Sequence, residues 1–329
     1  MKIKKIDTHV HFRDENERHK ETIKGGLQKA KNFGILAVCD MPNTNPPRLY
    51  ISDIQRRIKI AKKANLDIGY FLWAGISAKK DQIKEMIIAE KEIPEVLGIK
   101  LYAGSSTGNL GIINIEDQRM IYKELAKNNF KGVLAVHCER EDMLCPDFWN
   151  SKIPKTHSKA RPPKAEIEAT KDQIRFAKET SFKGSLHICH ISLPETLKEI
   201  KNARKDGLEI SCEITPHHFL LDENKMEGKE GLLYKVNPPL RSKEKVIELR
   251  NKLMDLFKDQ VDWLWIATDY APHTMEEKLN LPYASGIANY NLYKEFLDFL
   301  RAKGLSFEEI EKFTYRNIKK RFEEKLKFI

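Results

Sequence analysis

Three features are missing from this 329-residue chain. No apolar run approaches the ~20 residues of a membrane-spanning helix, which excludes a helical membrane protein. Cysteines number only five (Cys39, Cys138, Cys145, Cys189, Cys212), an odd count mostly inside apolar stretches. That excludes a disulfide framework and points to reduced thiols in a cytoplasmic protein. A phosphate loop is also lacking: Ser105-Ser106-Thr107-Gly108 is loop-like but has no Gly-Lys-Ser/Thr ending. The N-terminal run 1–5 leads into no long apolar segment, so no signal peptide is expected. There is no internal repeat or low-complexity linker, and the chain reads as one domain over 1–329.

The charge is lopsided, at +10. The lysines are spread along helical segments such as 59–63 and 198–205 instead of gathering with aromatics into one tract. They read as solvated helix faces that attract anionic small molecules, not as a nucleic-acid surface.

What is present is alternation. Apolar, β-branched runs at 3–12, 35–41, 68–75, 98–102, 133–138, 185–190, 208–215 and 263–269 read as strands. Amphipathic stretches between them, such as 51–63, 80–92, 116–127, 164–179, 194–205 and 243–258, read as helices. Eight β/α units with strands of nearly continuous apolar character predict a parallel TIM (β/α)8 barrel. Two further helices are expected over 291–329, with Gly304 ending the first and Ser306 capping the second.

A barrel of this kind carries its active site at the C-terminal strand ends. Asp7-Thr8-His9-Val10-His11 closes the first strand, and two histidines at i and i+2 on an extended chain share a face. Later strand ends supply Asn43, Lys100, His137, His190, Glu213 and Asp269. Imidazoles with a carboxylate suit zinc or a similar divalent ion. Positive charge near Lys100 favours its neutral amine, which can add carbon dioxide to give a bridging carbamate. A lone strand histidine is usually a hydrogen-bonded core residue, and His157 and His187 are read that way. Asp269 follows an apolar run and must be ligated, paired or hydrogen-bonded.

These residues, in this order, resemble the dihydroorotases of the amidohydrolase superfamily. The matching segments include Asp7–Asp14, Met41-Pro42-Asn43-Thr44, Gly98-Ile99-Lys100-Leu101-Tyr102, Val136-His137-Cys138-Glu139, His187–Ser192, Val236–Arg241 and Ala267–Thr274. The resemblance implies two zinc ions: His9, His11 and Asp269 around one, His137 and His190 around the other, and carboxylated Lys100 as the bridge. It implies that Arg13, Asn43 and His273 bind the carboxylate of the substrate and that Asn237 touches its ring. A guanidinium fork suits that carboxylate, although Arg13 could instead pair with Asp14, and Asn43 could be a turn residue. The implied reaction is the interconversion of dihydroorotate and N-carbamoyl-L-aspartate in pyrimidine biosynthesis. A hydroxide held between the metals attacks, and Asp269 acts as base and then acid. Related cyclic amidases, the hydantoinases and allantoinases, share the ligands, and a non-catalytic scaffold for aspartate transcarbamoylase is the reading from another class. A homodimer, or association with aspartate transcarbamoylase, is the expected assembly.

The chain also departs from the family pattern. Tyr270 stands where histidine is frequent, and the loop 285–290 lacks a common Pro-Gly-x-Glu. No segment corresponds to the β-sandwich that many relatives build from both termini. Cys189 and Glu213 resemble positions that hold an extra zinc in some relatives, but core packing is the expected role of Cys189.

Overall fold

The computed structural model describes residues 3–327 and 329. Met1, Lys2 and Phe328, which belong to the N-terminal run and the 1–329 span read above, lie outside the described residues. Eight strands form one parallel sheet in chain order: β1 (Ile6–Val10), β2 (Ala37–Asp40), β3 (Gly69–Gly75), β4 (Val96–Ala103), β5 (Val133–Cys138), β6 (Ser185–Ile188), β7 (Ile210–Ile214) and β8 (Leu264–Ile266). The connecting helices are α1 (Ile23–Asn32), α2 (Ile51–Lys63), α3 (Lys80–Glu92), α4 (Ile115–Lys127), α5 (Pro163–Glu179), α6 (Pro194–Lys205) and α7 (Lys243–Lys258), followed by α8 (Tyr290–Ala302). The result is the expected (β/α)8 barrel. No described helix is long and apolar enough to cross a membrane.

Every residue of β4 and β5 is buried, as central parallel strands require. Closure between β8 and β1 uses polar groups in place of a strand ladder. Asp7 accepts from the Thr268 amide at 3.0 Å, and a bridge joins Val10 to Tyr270. β1 is shorter than the expected 3–12 run at both ends; at its C-terminal end the Phe12 amide donates to Asp40 Oδ1 at 3.0 Å and not to a strand neighbour. Periodicity does not pick out α1, because its Gly25-Gly26 pair weakens the helical signal. Packing demands the second glycine: a Cβ on Gly26 would come within 2.5 Å of the Phe12 ring.

At the other end of the barrel, Gly304 terminates the α8 segment at φ 93° and Ser306 forms a capping box with Glu309. The expected second helix is interrupted by a π turn over Lys312–Arg316. Beyond it, Phe322 sets its ring edge-on to Trp73 and Trp265, at 5.8 and 6.2 Å, and closes the bottom of the barrel.

Candidate active site

One cavity opens at the C-terminal strand ends, with a volume near 370 Å³. His9, His11, Arg13, Asn43, His137, His190, Asn237, Asp269 and His273 all line it. Of the strand-end residues singled out in the sequence, Lys100 and Glu213 do not line it; both are buried. His190 and Asp269 sit at φ 34° and 50°, left-handed conformations that ordinary side chains adopt at a cost of roughly 1–3 kcal/mol and that cluster at functional sites.

Hydrogen-bond direction tests whether these side chains fit a metal. His11 Nδ1 faces Asn43 Oδ1 at 2.7 Å, and His9 Nδ1 faces a Glu213 oxygen. Both oxygens accept, so each imidazole spends its proton on Nδ1 and leaves a lone pair on Nε2. Those two lone pairs point at one oxygen: Asp269 Oδ1 lies 2.8 Å from His11 Nε2 and 3.3 Å from His9 Nε2. Three acceptors facing one another need a cation between them. The surrounding carboxylates draw a cation strongly enough that, in the protein alone, a second proton on His9 fills that place. Burial alone would depress the His9 imidazolium, but Glu213 and Asp269 outweigh it and push it up to about 10. Burial would raise the Asp269 carboxyl, yet His9 and His11 hold it well below the usual range.

A second pair lies close by, with His137 Nδ1 3.1 Å from His190 Nε2. Lys100 Nζ contacts Cys189 Sγ at 2.8 Å and lies 5.0 Å from the Tyr102 ring centroid, with no carboxylate partner among the described residues. A bare ammonium in that setting is expensive to bury, so the position suits a derivatised amine. His9, Cys189 and Glu213 form another group with mutually close ligand atoms, while Cys189 itself is packed in the core.

Several residues that hold the site escaped the sequence reading. Glu139 takes a two-pronged Arg161 at 3.0 and 2.7 Å, and its Oε2 lies 3.1 Å from His137 Nε2, in ion-pair range though not aligned as a hydrogen bond. Glu213 also meets His187 at 3.1 Å, and that ring stacks on Trp265 at 4.2 Å, so His187 is the core residue expected. Beneath the first two loops, Asp40 pairs with Arg48 and Arg57 at 2.8 and 2.9 Å, all three fully buried. Arg57 also donates to the backbone carbonyls of Phe12 and Arg13. A buried Asp-Arg-Arg group carries no sequence signature.

Arg13 does not pair with Asp14, which instead caps Glu15 and Ile23. Its Nη2 lies 3.1 Å from His273 Nε2, and its Nε donates to the Pro272 carbonyl at 3.0 Å. Burial, then Arg13, pushes His273 down to about 3, so the ring accepts from the guanidinium as a neutral base. Tyr270 faces away from the cavity. Its hydroxyl donates to Glu21 at 3.0 Å and its ring stacks on Tyr290 at 4.6 Å.

Fold and strand-end side chains together define an amidohydrolase-type TIM barrel. The structure superposes on an L-hydantoinase (dihydropyrimidinase) from Arthrobacter aurescens with a TM-score of 0.82 at 21% identity, covering 98% of this chain and 71% of that one. Against a dihydroorotase from Campylobacter jejuni the TM-score is 0.72, also at 21% identity, covering 98% and 83%. Sequence narrows the class. The chain is 34% identical over 326 residues to a dihydroorotase of Methanosphaera stadtmanae, covering 95% of this chain and 68% of that protein. It is 36% identical over 276 residues to a dihydroorotase of Pyrococcus abyssi, covering 83% and 56%. No protein-family model matches. This chain belongs to the dihydroorotase family, and it spans 55–68% of the length of the first four curated relatives it matches.

Proposed function

We propose that this chain, as one barrel domain over 1–329, interconverts dihydroorotate and N-carbamoyl-L-aspartate. The observation that carries the reading is the juxtaposition of Arg13 and His273, 3.1 Å apart, in the same cavity as the convergent acceptors on Asp269. One end is cationic and suits a carboxylate; the other end suits cations. His9, His11 and Asp269 would hold one zinc ion, His137 and His190 the other, and carboxylated Lys100 both. When bound, such a pair lowers the pKa of a water and polarises a carbonyl.

The protein's own groups do the rest. Arg13 fixes the substrate carboxylate, and neutral His273 aligns the guanidinium. Asn43 spends its oxygen on His11 and donates one amide proton to Ser106 Oγ at 3.5 Å, which leaves its second amide proton for that carboxylate. Asp269, held as a carboxylate, takes a proton from the attacking water and delivers it to the ring nitrogen as the amide bond breaks. Glu213 orients His9, and Glu139 sits behind His137, the outer-layer support that ligating imidazoles require.

Hydantoinases and allantoinases act on rings without the carboxylate, and the likeness to hydantoinase structures is one of fold. A steady-state comparison of dihydroorotate, hydantoin and allantoin tests the reading, which requires dihydroorotate to be preferred; preference for either neutral ring overturns it. The reading extends to a homodimer or a complex with aspartate transcarbamoylase, supported by exposed apolar side chains such as Leu281 (82% exposed) and Met275 (60%). Light scattering of the chain alone and mixed with that enzyme tests both, and a monomer in each case ends the extension.

A further inference from the structure

One wall of the cavity contains a chain of donors and acceptors whose direction is fixed atom by atom. Two members have no choice. The Val236 carbonyl only accepts, so His157 Nε2, 3.1 Å away, carries a proton. The Lys235 ammonium only donates, so Ser285 Oγ, 2.8 Å away, accepts from it and keeps its own proton for another partner. Both lead to one atom: Asn237 Oδ1 lies 2.9 Å from His157 Nε2 and 3.3 Å from Ser285 Oγ. The Asn237 amide is thereby set with its oxygen toward the wall. Its Nδ2 has no protein partner among the described residues, and Asn237 lines the cavity.

The surroundings hold this direction. Burial, then Lys235 and Arg161, pushes His157 down to about 3, so the neutral ring has a single proton to give. Burial and Arg161 push Lys235 down to about 8, which leaves it an ammonium at neutral pH. Trp149 packs edge-on to His157 at 5.3 Å, with Lys235 Nζ 5.3 Å from the centroid of the same ring.

We propose that Lys235, Ser285 and His157 are positioning residues that lock Asn237 as a hydrogen-bond donor to a carbonyl oxygen of the substrate. The proposal rests on the cyclic-amide reading above, in which the ring offers carbonyl oxygens as acceptors. A donor fixed in a partly desolvated wall favours a ring that presents a carbonyl there and penalises one that does not, because the amide is then left unpaired. Ser285 falls in the loop that departs from the family pattern, so the device is tied to this chain's own loop.

Kinetics of the metal-replete enzyme with dihydroorotate test the substrate half. Ser285→Ala should raise KM several-fold, up to about tenfold for one lost hydrogen bond, with kcat little changed. Ser285→Thr, which keeps the hydroxyl, should restore KM. Asn237→Asp, which puts an acceptor where the donor stood, should raise KM by more than about tenfold. An unchanged KM in Ser285→Ala, or a KM that Ser285→Thr fails to rescue, overturns the proposal. Nitrogen NMR of histidine-labelled protein, assigned against His157→Phe, tests the wall without substrate. A neutral ring protonated on Nε2 is expected, and an Nδ1–H tautomer overturns the proposal whatever the activity. Absence of dihydroorotate turnover by the wild type overturns the cyclic-amide reading and the substrate half with it, while the tautomer still decides the orientation of Asn237.

Discussion

Glu139 Oε2 lies 3.1 Å from His137 Nε2, while the Arg161 guanidinium grips the same carboxylate at 2.7 Å. Burial would raise the Glu139 carboxyl, but Arg161 and His137 hold it well below the usual range, so it stays an anion behind the imidazole. Removing that charge while keeping the shape, in Glu139→Gln, should weaken metal retention by about 10–100-fold. Chelator-competition titration measures it; retention equal to wild type would show that Glu139 serves only Arg161.

Arg57 supports the two cavity-lining loops that carry Arg13 and Asn43, through Asp40 and the carbonyls of Phe12 and Arg13. Arg57→Met should cost about 3 kcal/mol or more of stability, because it breaks a buried charge group, and should raise KM for dihydroorotate more than it lowers kcat. Urea midpoints and steady-state kinetics check the two halves. A kcat loss at constant KM would place Arg57 outside carboxylate binding.

Lys278 is buried and donates to the Gly286 and Lys235 carbonyls at 2.7 and 3.1 Å. Burial, then Lys235, pushes it down to about 7, whereas an unfolded lysine titrates near 10.4. Between those values the unfolded chain binds more protons, so Lys278 makes stability rise with pH from about 7 upward. The penalty of burying it is full below that range. Urea unfolding at pH 6.5 and 9 should therefore show a larger gain for wild type than for Lys278→Met. Equal gains would refute the assignment.

The barrel and the cluster of polar side chains at its strand ends were legible because both depend on local pattern. Buried parallel strands are apolar along their length, and His9, His11, His137, His190 and Asp269 stand at or just past the points where that character stops. The supports were not legible. Asp40, Arg57 and Arg48 look like solvated charges until the fold buries them together, and Glu139 gains its meaning from Arg161, 22 residues away. His157 reads as an ordinary core histidine, and only the geometry shows that it grips a cavity-lining asparagine. The π turn at Lys312–Arg316 has no periodicity signal strong enough to separate it from a helix.

The direct test of the whole account is the ratio of kcat/KM for dihydroorotate to that for hydantoin, measured on metal-replete wild type and on Arg13→Met. The site described here predicts a wild-type ratio of about 100 or more, the value of two hydrogen bonds to a carboxylate, collapsing toward unity in the variant. A ratio near one in the wild type, or one that survives the loss of Arg13, would contradict it.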